Sequence, residues 1–166
     1  MGGDDPFPRL AALFPEAADA GDALRARAWT VAVAESCTGG LLGAVLTAVP
    51  GSSAYMRGGV IAYDNAVKID QLGVDAELIR TRGAVSEEVG AAMARGARER
   101  LGADVGVGIT GVAGPGAEAG KPAGLVFVAI DFPGGGAVVR LDGDRGREAN
   151  RAHAVRAALR LLTDGA

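Results

Sequence analysis

Ala34-Glu35-Ser36-Cys37-Thr38-Gly39-Gly40 is the stretch whose reading decides the fold of this chain. It follows an apolar run, Trp29-Thr30-Val31-Ala32-Val33-Ala34, with the character of a buried strand, and it precedes Leu41-Leu42-Gly43-Ala44-Val45-Leu46, which opens a helix. A strand that stops at such a turn and continues as a helix sets nucleophilic side chains beside free backbone N–H groups. Those donors and the positive end of the helix dipole favour an anion, either a phosphate or a developing oxyanion. Strand-to-helix turns also favour Ser, Thr and Gly for capping and tight backbone paths, and Ser36 and Thr38 both compete for the cap.

Working outward, residues 1–15 read as a loose leader with one apolar patch from Leu10 to Phe14, and residues 16–166 as a single domain. Residues 16–28 are Ala-rich and helical. Val49-Pro50-Gly51-Ser52-Ser53 is a turn, and Arg57 to Tyr63 a strand. Asn65 caps a short helix that ends at Gly73, and Ser86 caps a longer one that ends at Gly102. Asp104 to Ile109 is a strand of Val and Gly, followed by a second glycine turn, Thr110-Gly111-Val112-Ala113-Gly114-Pro115-Gly116. Leu125–Ile130 and Ala137–Leu141 form an antiparallel hairpin, and a final helix spans Arg147 to Thr163. The alternation predicts an α/β fold, a three-layer α/β/α sandwich on a mixed, mostly parallel sheet. In such sheets ligands sit outside the carboxyl ends of the parallel strands, where the turns at 36–40 and 110–116 meet.

Composition narrows the function. The chain has 166 residues and a net charge of −3 with acids and bases intermixed, so it carries no basic stripe for nucleic acid. Its one cysteine, Cys37, forms no intrachain disulfide and no cysteine-based zinc cluster. No apolar run approaches the roughly 20 residues of a membrane helix, and Asp4 and Asp5 stand where a signal peptide would be basic. A soluble cytoplasmic protein acting on a small molecule is expected. The 27 glycines fall in clusters, which argues for tight turns and close backbone approaches.

Taken in order, six segments resemble the CinA carboxy-terminal domain family from about residue 22 to the C-terminus. They are Ala34–Gly40, Pro50–Ser53, Gly58–Asn65 with Lys68, Gly83–Ser86, Thr110–Gly116 and Lys121-Pro122-Ala123-Gly124. Standalone members include nicotinamide-nucleotide amidases, and the resemblance implies that this chain is of the standalone form. The resemblance implies hydrolysis of the carboxamide of nicotinamide mononucleotide to nicotinate mononucleotide and ammonia. It also implies no metal, no cofactor and a homo-oligomer.

Deamidation needs a nucleophile, a base, donors for the oxyanion and an acid for the leaving ammonia. The family pattern places the nucleophile at Ser36 and supports a Ser36–Tyr63–Lys68 arrangement, with Tyr63 or Lys68 as the direct base. Cys37 is the rival nucleophile, although it packs inward if Ser36 faces the pocket. His153, the lone histidine, lies among surface-type residues of the final helix. Glu35 is expected to orient Lys68 or the substrate, with a salt bridge as its alternative. Thr38, Gly39, Gly40, Thr110 and Gly111 are expected to supply donors to the substrate. A guanidinium clamp on its phosphate falls to Arg147 and Arg151, with Arg145 as the alternative register. The loop at 117–120 departs from the family pattern beside the ligand. That departure keeps two other readings open, an amidase for another nucleotide carboxamide and a non-catalytic nucleotide-binding module.

Overall fold

A computed structural model of the chain describes residues 9–164. Five strands form one sheet: β1 (Val31–Glu35), β2 (Met56–Ile61), β3 (Val105–Gly111), β4 (Val126–Phe132) and β5 (Gly135–Leu141), in the order β2-β1-β3-β4-β5. β1 runs parallel to both β2 and β3, while β3–β4 and β4–β5 are antiparallel. The expected mixed α/β sheet is present, with its parallel part in the first three strands and the expected hairpin at β4–β5.

Helices cover both faces. α2 (Glu16–Ala26), α3 (Leu41–Thr47) and α7 (Arg147–Asp164) pack on one side, and α4 (Asn65–Leu72), α5 (Ala76–Arg82) and α6 (Glu87–Leu101) on the other. Alternation along the central strands explains the difference between the two layers. Val31 and Val33 of β1, with Val105, Val107 and Ile109 of β3, point into the larger core beneath α2, α3 and α7. Ala32, Ala34, Gly106 and Gly108 face α6. The helix therefore settles almost onto the backbone: a Cβ on Gly106 would lie 1.9 Å from the Ala94 carbonyl oxygen, and one on Gly108 2.4 Å from that of Gly90. Gly106→Ala is expected to cost about 2–3 kcal/mol of unfolding free energy in a denaturant titration, because backbone cannot move aside as a side chain can.

The stretch from Asp64 to Arg82 differs from the sequence reading. Asp64 caps α4, its carboxylate accepting from Ala66 N–H at 2.7 Å, which moves the cap one residue before Asn65. α5 occupies a stretch to which no element was assigned, capped by Asp75 through Glu77 N–H. Residues 1–8 of the expected leader lie outside the described residues. The later part is held: α1 (Leu10–Leu13) leads to Phe14, which is buried, with the Arg156 guanidinium 4.7 Å over its ring and 2.8 Å from the Leu13 carbonyl. The apolar patch there is a docking patch on the core cluster. No helix among the described residues is long and apolar enough to cross a membrane.

Candidate active site

Ser36 N–H donates to the Ile109 carbonyl at 3.0 Å, which extends the β1–β3 pairing by one residue and brings the two glycine turns together. A cavity of about 510 Å³ opens there, within the size range of small-molecule sites. Ser36, Cys37, Lys68, Thr110, Gly111 and Arg147 are among its lining residues.

Lys68 is the deepest charged-type group in it. Its position on the first turn and a half of α4 buries it almost completely, at 1% exposure. Nζ lies 2.8 Å from the Ala62 carbonyl, 3.1 Å from the Tyr63 carbonyl and 3.3 Å from Ser36 Oγ, and no carboxylate forms an ion pair with it among the described residues. Burial holds its pKa below the ordinary lysine value, opposed chiefly by the charge of Asp64. A neutral amine has two N–H donors and one lone pair. When Nζ is neutral, the two carbonyls take both donors and the lone pair faces the serine hydroxyl; when it is charged, it donates to all three oxygens. The geometry sets the amine within reach of the Ser36 hydroxyl, and burial favours its uncharged form.

Cys37, next in sequence, belongs to the core cluster although it reaches the cavity wall, and burial pushes its thiol up to about 11. A thiol with that pKa stays protonated near neutrality and is a weak nucleophile. Tyr63 is different again. Only its carbonyl touches Lys68; its side chain is exposed, and its hydroxyl lies 3.3 Å from Arg147 Nη2 at the cavity mouth. The structure therefore joins Ser36 and Lys68 by a hydrogen bond, while Tyr63 lines the same cavity with its hydroxyl bonded to Arg147.

The start of α3 carries an anion of the protein's own. Glu35, 1% exposed, accepts from the N–H groups of Gly40 at 3.2 Å, Leu42 at 3.0 Å and Gly43 at 2.8 Å. The N–H of Gly39 goes to the Ser36 carbonyl and that of Leu41 to Thr38. The helix start is thus filled from inside, because Glu35 ends β1 on the face opposite Ser36 and reaches the dipole first. Glu35 makes neither a salt bridge nor a contact with Lys68 among the described residues. Of the turn's donors, the N–H groups of Cys37 and Thr38 make no backbone hydrogen bond among the described residues, and that of Cys37 faces its own thiol. Thr38 is fully buried and its hydroxyl has no partner there. Gly39 and Gly40 take positive φ values of 59° and 98° to let the chain enter the helix, and they do not line the cavity.

From the second glycine turn, Thr110 Oγ1 donates to the Ala84 carbonyl at 2.7 Å, tying the cavity floor to the loop before α6. Arg147, the first residue of α7, reaches the mouth and donates to the Gly114 carbonyl at 2.6 Å. Arg151 lies one turn on, bound to the Thr38 carbonyl at 3.0 Å and to Glu148, away from the lining. Arg145 turns back on Asp142 and Gly143. Of the three arginines considered from the sequence, Arg147 alone lines the cavity. His153 is not among the lining residues either.

Two lining features escaped the sequence reading. Lys121 was noted only as part of a motif, yet it lines the mouth, where Glu118 and Lys121 pair across a two-residue turn at Ala119-Gly120. Asn65, read as a cap, faces the cavity too.

Residues 15–165 match the family described as the CinA C-terminal domain. The chain belongs to this family. It is 51% identical to a CinA-like protein of Thermosynechococcus vestitus over 143 residues, which is 84% of this chain and 34% of that protein. It is 58% identical to a CinA-like protein of Gemmatimonas aurantiaca over 119 residues, 70% of this chain and 28% of the relative. The chain thus spans about a third of the length of these curated CinA relatives. Among solved structures it resembles the competence/damage inducible protein CihA from Agrobacterium tumefaciens, with TM-score 0.87 and 39% identity, covering 98% of this chain and 97% of that one. A CinA superfamily protein from Klebsiella pneumoniae superposes with TM-score 0.87 at 38% identity, over 90% and 94% of the two chains.

Proposed function

We propose that this CinA domain is a serine amidase that deamidates nicotinamide mononucleotide. The observation that carries the reading is the buried lysine amine 3.3 Å from Ser36 Oγ, with both of its N–H directions taken by carbonyls. Ser36 Oγ attacks the carboxamide carbon while its proton passes to Lys68 Nζ. The carbonyl oxygen becomes an oxyanion, which the backbone N–H groups of the turn that follows Ser36 would stabilise. Lys68 then returns the proton to the departing nitrogen, ammonia leaves and an acyl-serine remains. Water, deprotonated by the same amine, releases nicotinate mononucleotide and restores the serine.

Arg147 at the mouth supplies the positive charge for the substrate's monophosphate. With the start of α3 occupied by Glu35, recognition of that phosphate falls to side chains rather than to the helix dipole. Tyr63 serves at the mouth through Arg147 rather than as the base.

The test is ammonia release from nicotinamide mononucleotide by the purified protein, beside Cys37→Ala. Release by both is the expected result, since the thiol is protonated and set into the core. No release, with the nucleotide still bound, would sink the reading in favour of a non-catalytic nucleotide-binding module. Release from a different nucleotide carboxamide alone would move the substrate and keep the chemistry.

A further inference from the structure

Asn150 is a poor helix former set three residues into α7, and it is 3% exposed. A buried amide needs partners, and this one has three. Nδ2 donates to the Ala113 carbonyl and to Asp144 Oδ1, both at 2.9 Å, and Oδ1 accepts from Arg145 N–H at 2.9 Å. Asp144 Oδ1 accepts from Gly146 N–H as well, so the segment entering α7 is folded around this one side chain. Arg147 stands three residues before Asn150, on the same side of the helix. Its guanidinium bonds the carbonyl of Gly114, the residue that follows Ala113. Two neighbouring carbonyls of the second glycine turn are thus held by two neighbouring side chains of α7. Arg147 is the one of the pair that lines the cavity.

We infer that Asn150 is a positioning residue for anion capture: it fixes the first turn of α7 against the glycine turn and so sets the Arg147 guanidinium at the mouth of the site. The inference rests on the proposed role of Arg147 toward the substrate's phosphate. Asn150 touches neither Ser36 nor Lys68, so its effect travels through Arg147.

The test is a double-mutant cycle of Asn150→Ala and Arg147→Ala, read by titrating inorganic phosphate into the protein and by the kinetics of ammonia release. Asn150→Ala is expected to weaken phosphate binding about tenfold in the parent and to add little in the Arg147→Ala background, as coupled residues do. KM for the nucleotide should rise by a similar factor, with a much smaller change in kcat. Labelling of Ser36 by a small neutral sulfonyl fluoride, which has no anion to place, should keep its rate within about twofold, as expected if the loss is confined to binding. Asn150→Ser, which keeps one donor, serves if the alanine variant does not fold, and should fall between the two. Additive losses, unchanged phosphate binding in the single variant, or no phosphate binding by the parent would each overturn the inference. Absence of ammonia release would instead strike at the amidase reading, and the phosphate cycle would still report on Asn150.

Discussion

Lys68→Met is expected to reduce ammonia release from nicotinamide mononucleotide by on the order of 10³-fold, and Ser36→Ala by at least as much. Methionine keeps the length and the apolar stem while removing the amine that lies 3.3 Å from Ser36 Oγ. In the proposed mechanism Lys68 works in its neutral form, which fixes the sign of the expected pH dependence. Burial lowers its pKa in the folded protein, and unfolding returns it to the ordinary lysine value. The parent rate should therefore rise with pH through the lowered pKa and then level off. Stability should follow the same sense. Between the lowered folded pKa and the ordinary one the unfolded chain binds the extra proton, so this lysine's contribution grows as pH rises and is lost as pH falls through the folded pKa. Lys68→Met should remove that part of the slope in urea titrations across the alkaline range. Retained turnover in Lys68→Met, or a parent rate that falls where the lysine loses its proton, would eliminate it as the base.

Glu35→Gln is expected to lower unfolding free energy by about 2 kcal/mol, and Glu35→Ala by about 3 kcal/mol, because glutamine keeps an acceptor for two of the three N–H groups while alanine leaves all three without one. The amide of glutamine turns a donor toward donors, and the helix start loses its compensating charge. The turn carrying Ser36 is pinned by the same three contacts, so kcat should fall along with stability. A urea titration paired with steady-state kinetics separates this role from the one expected from the sequence. If Glu35 bound substrate, Glu35→Gln would raise KM and leave the unfolding midpoint in place.

The fold was legible wherever local pattern and tertiary packing agreed. Ser86 with two acids in the first turn, and Gly102 closing the last, mark α6 to the residue, and the Val-Gly alternation of β3 already encodes one bulky face and one bare face. α5 was missed because seven residues with no buried side chain leave no apolar stripe to read. Within the site, Ser36 announced itself by its turn, and Lys68 became visible only through the resemblance, since a lone lysine on a short helix looks solvated. The direction of a side chain at a strand end was not legible. Glu35 and Ser36 are adjacent, and only their alternation across the sheet sends one to the helix start and the other to the cavity. Asn150 and Lys121 were illegible for a related reason: each acts through a neighbour distant in sequence, the Ala113 carbonyl in one case and the cavity mouth in the other.

Because the carboxylate of Glu35 saturates the start of α3 from within, the proposed dyad and the proposed capture of the ligand's charge fall to different halves of the chain. The dyad is complete by residue 68, and the cationic side chains at the mouth arrive only after residue 120. On the proposed reading, substitutions at the mouth in the second half would retune which amide is admitted while Ser36 and Lys68 stay in place.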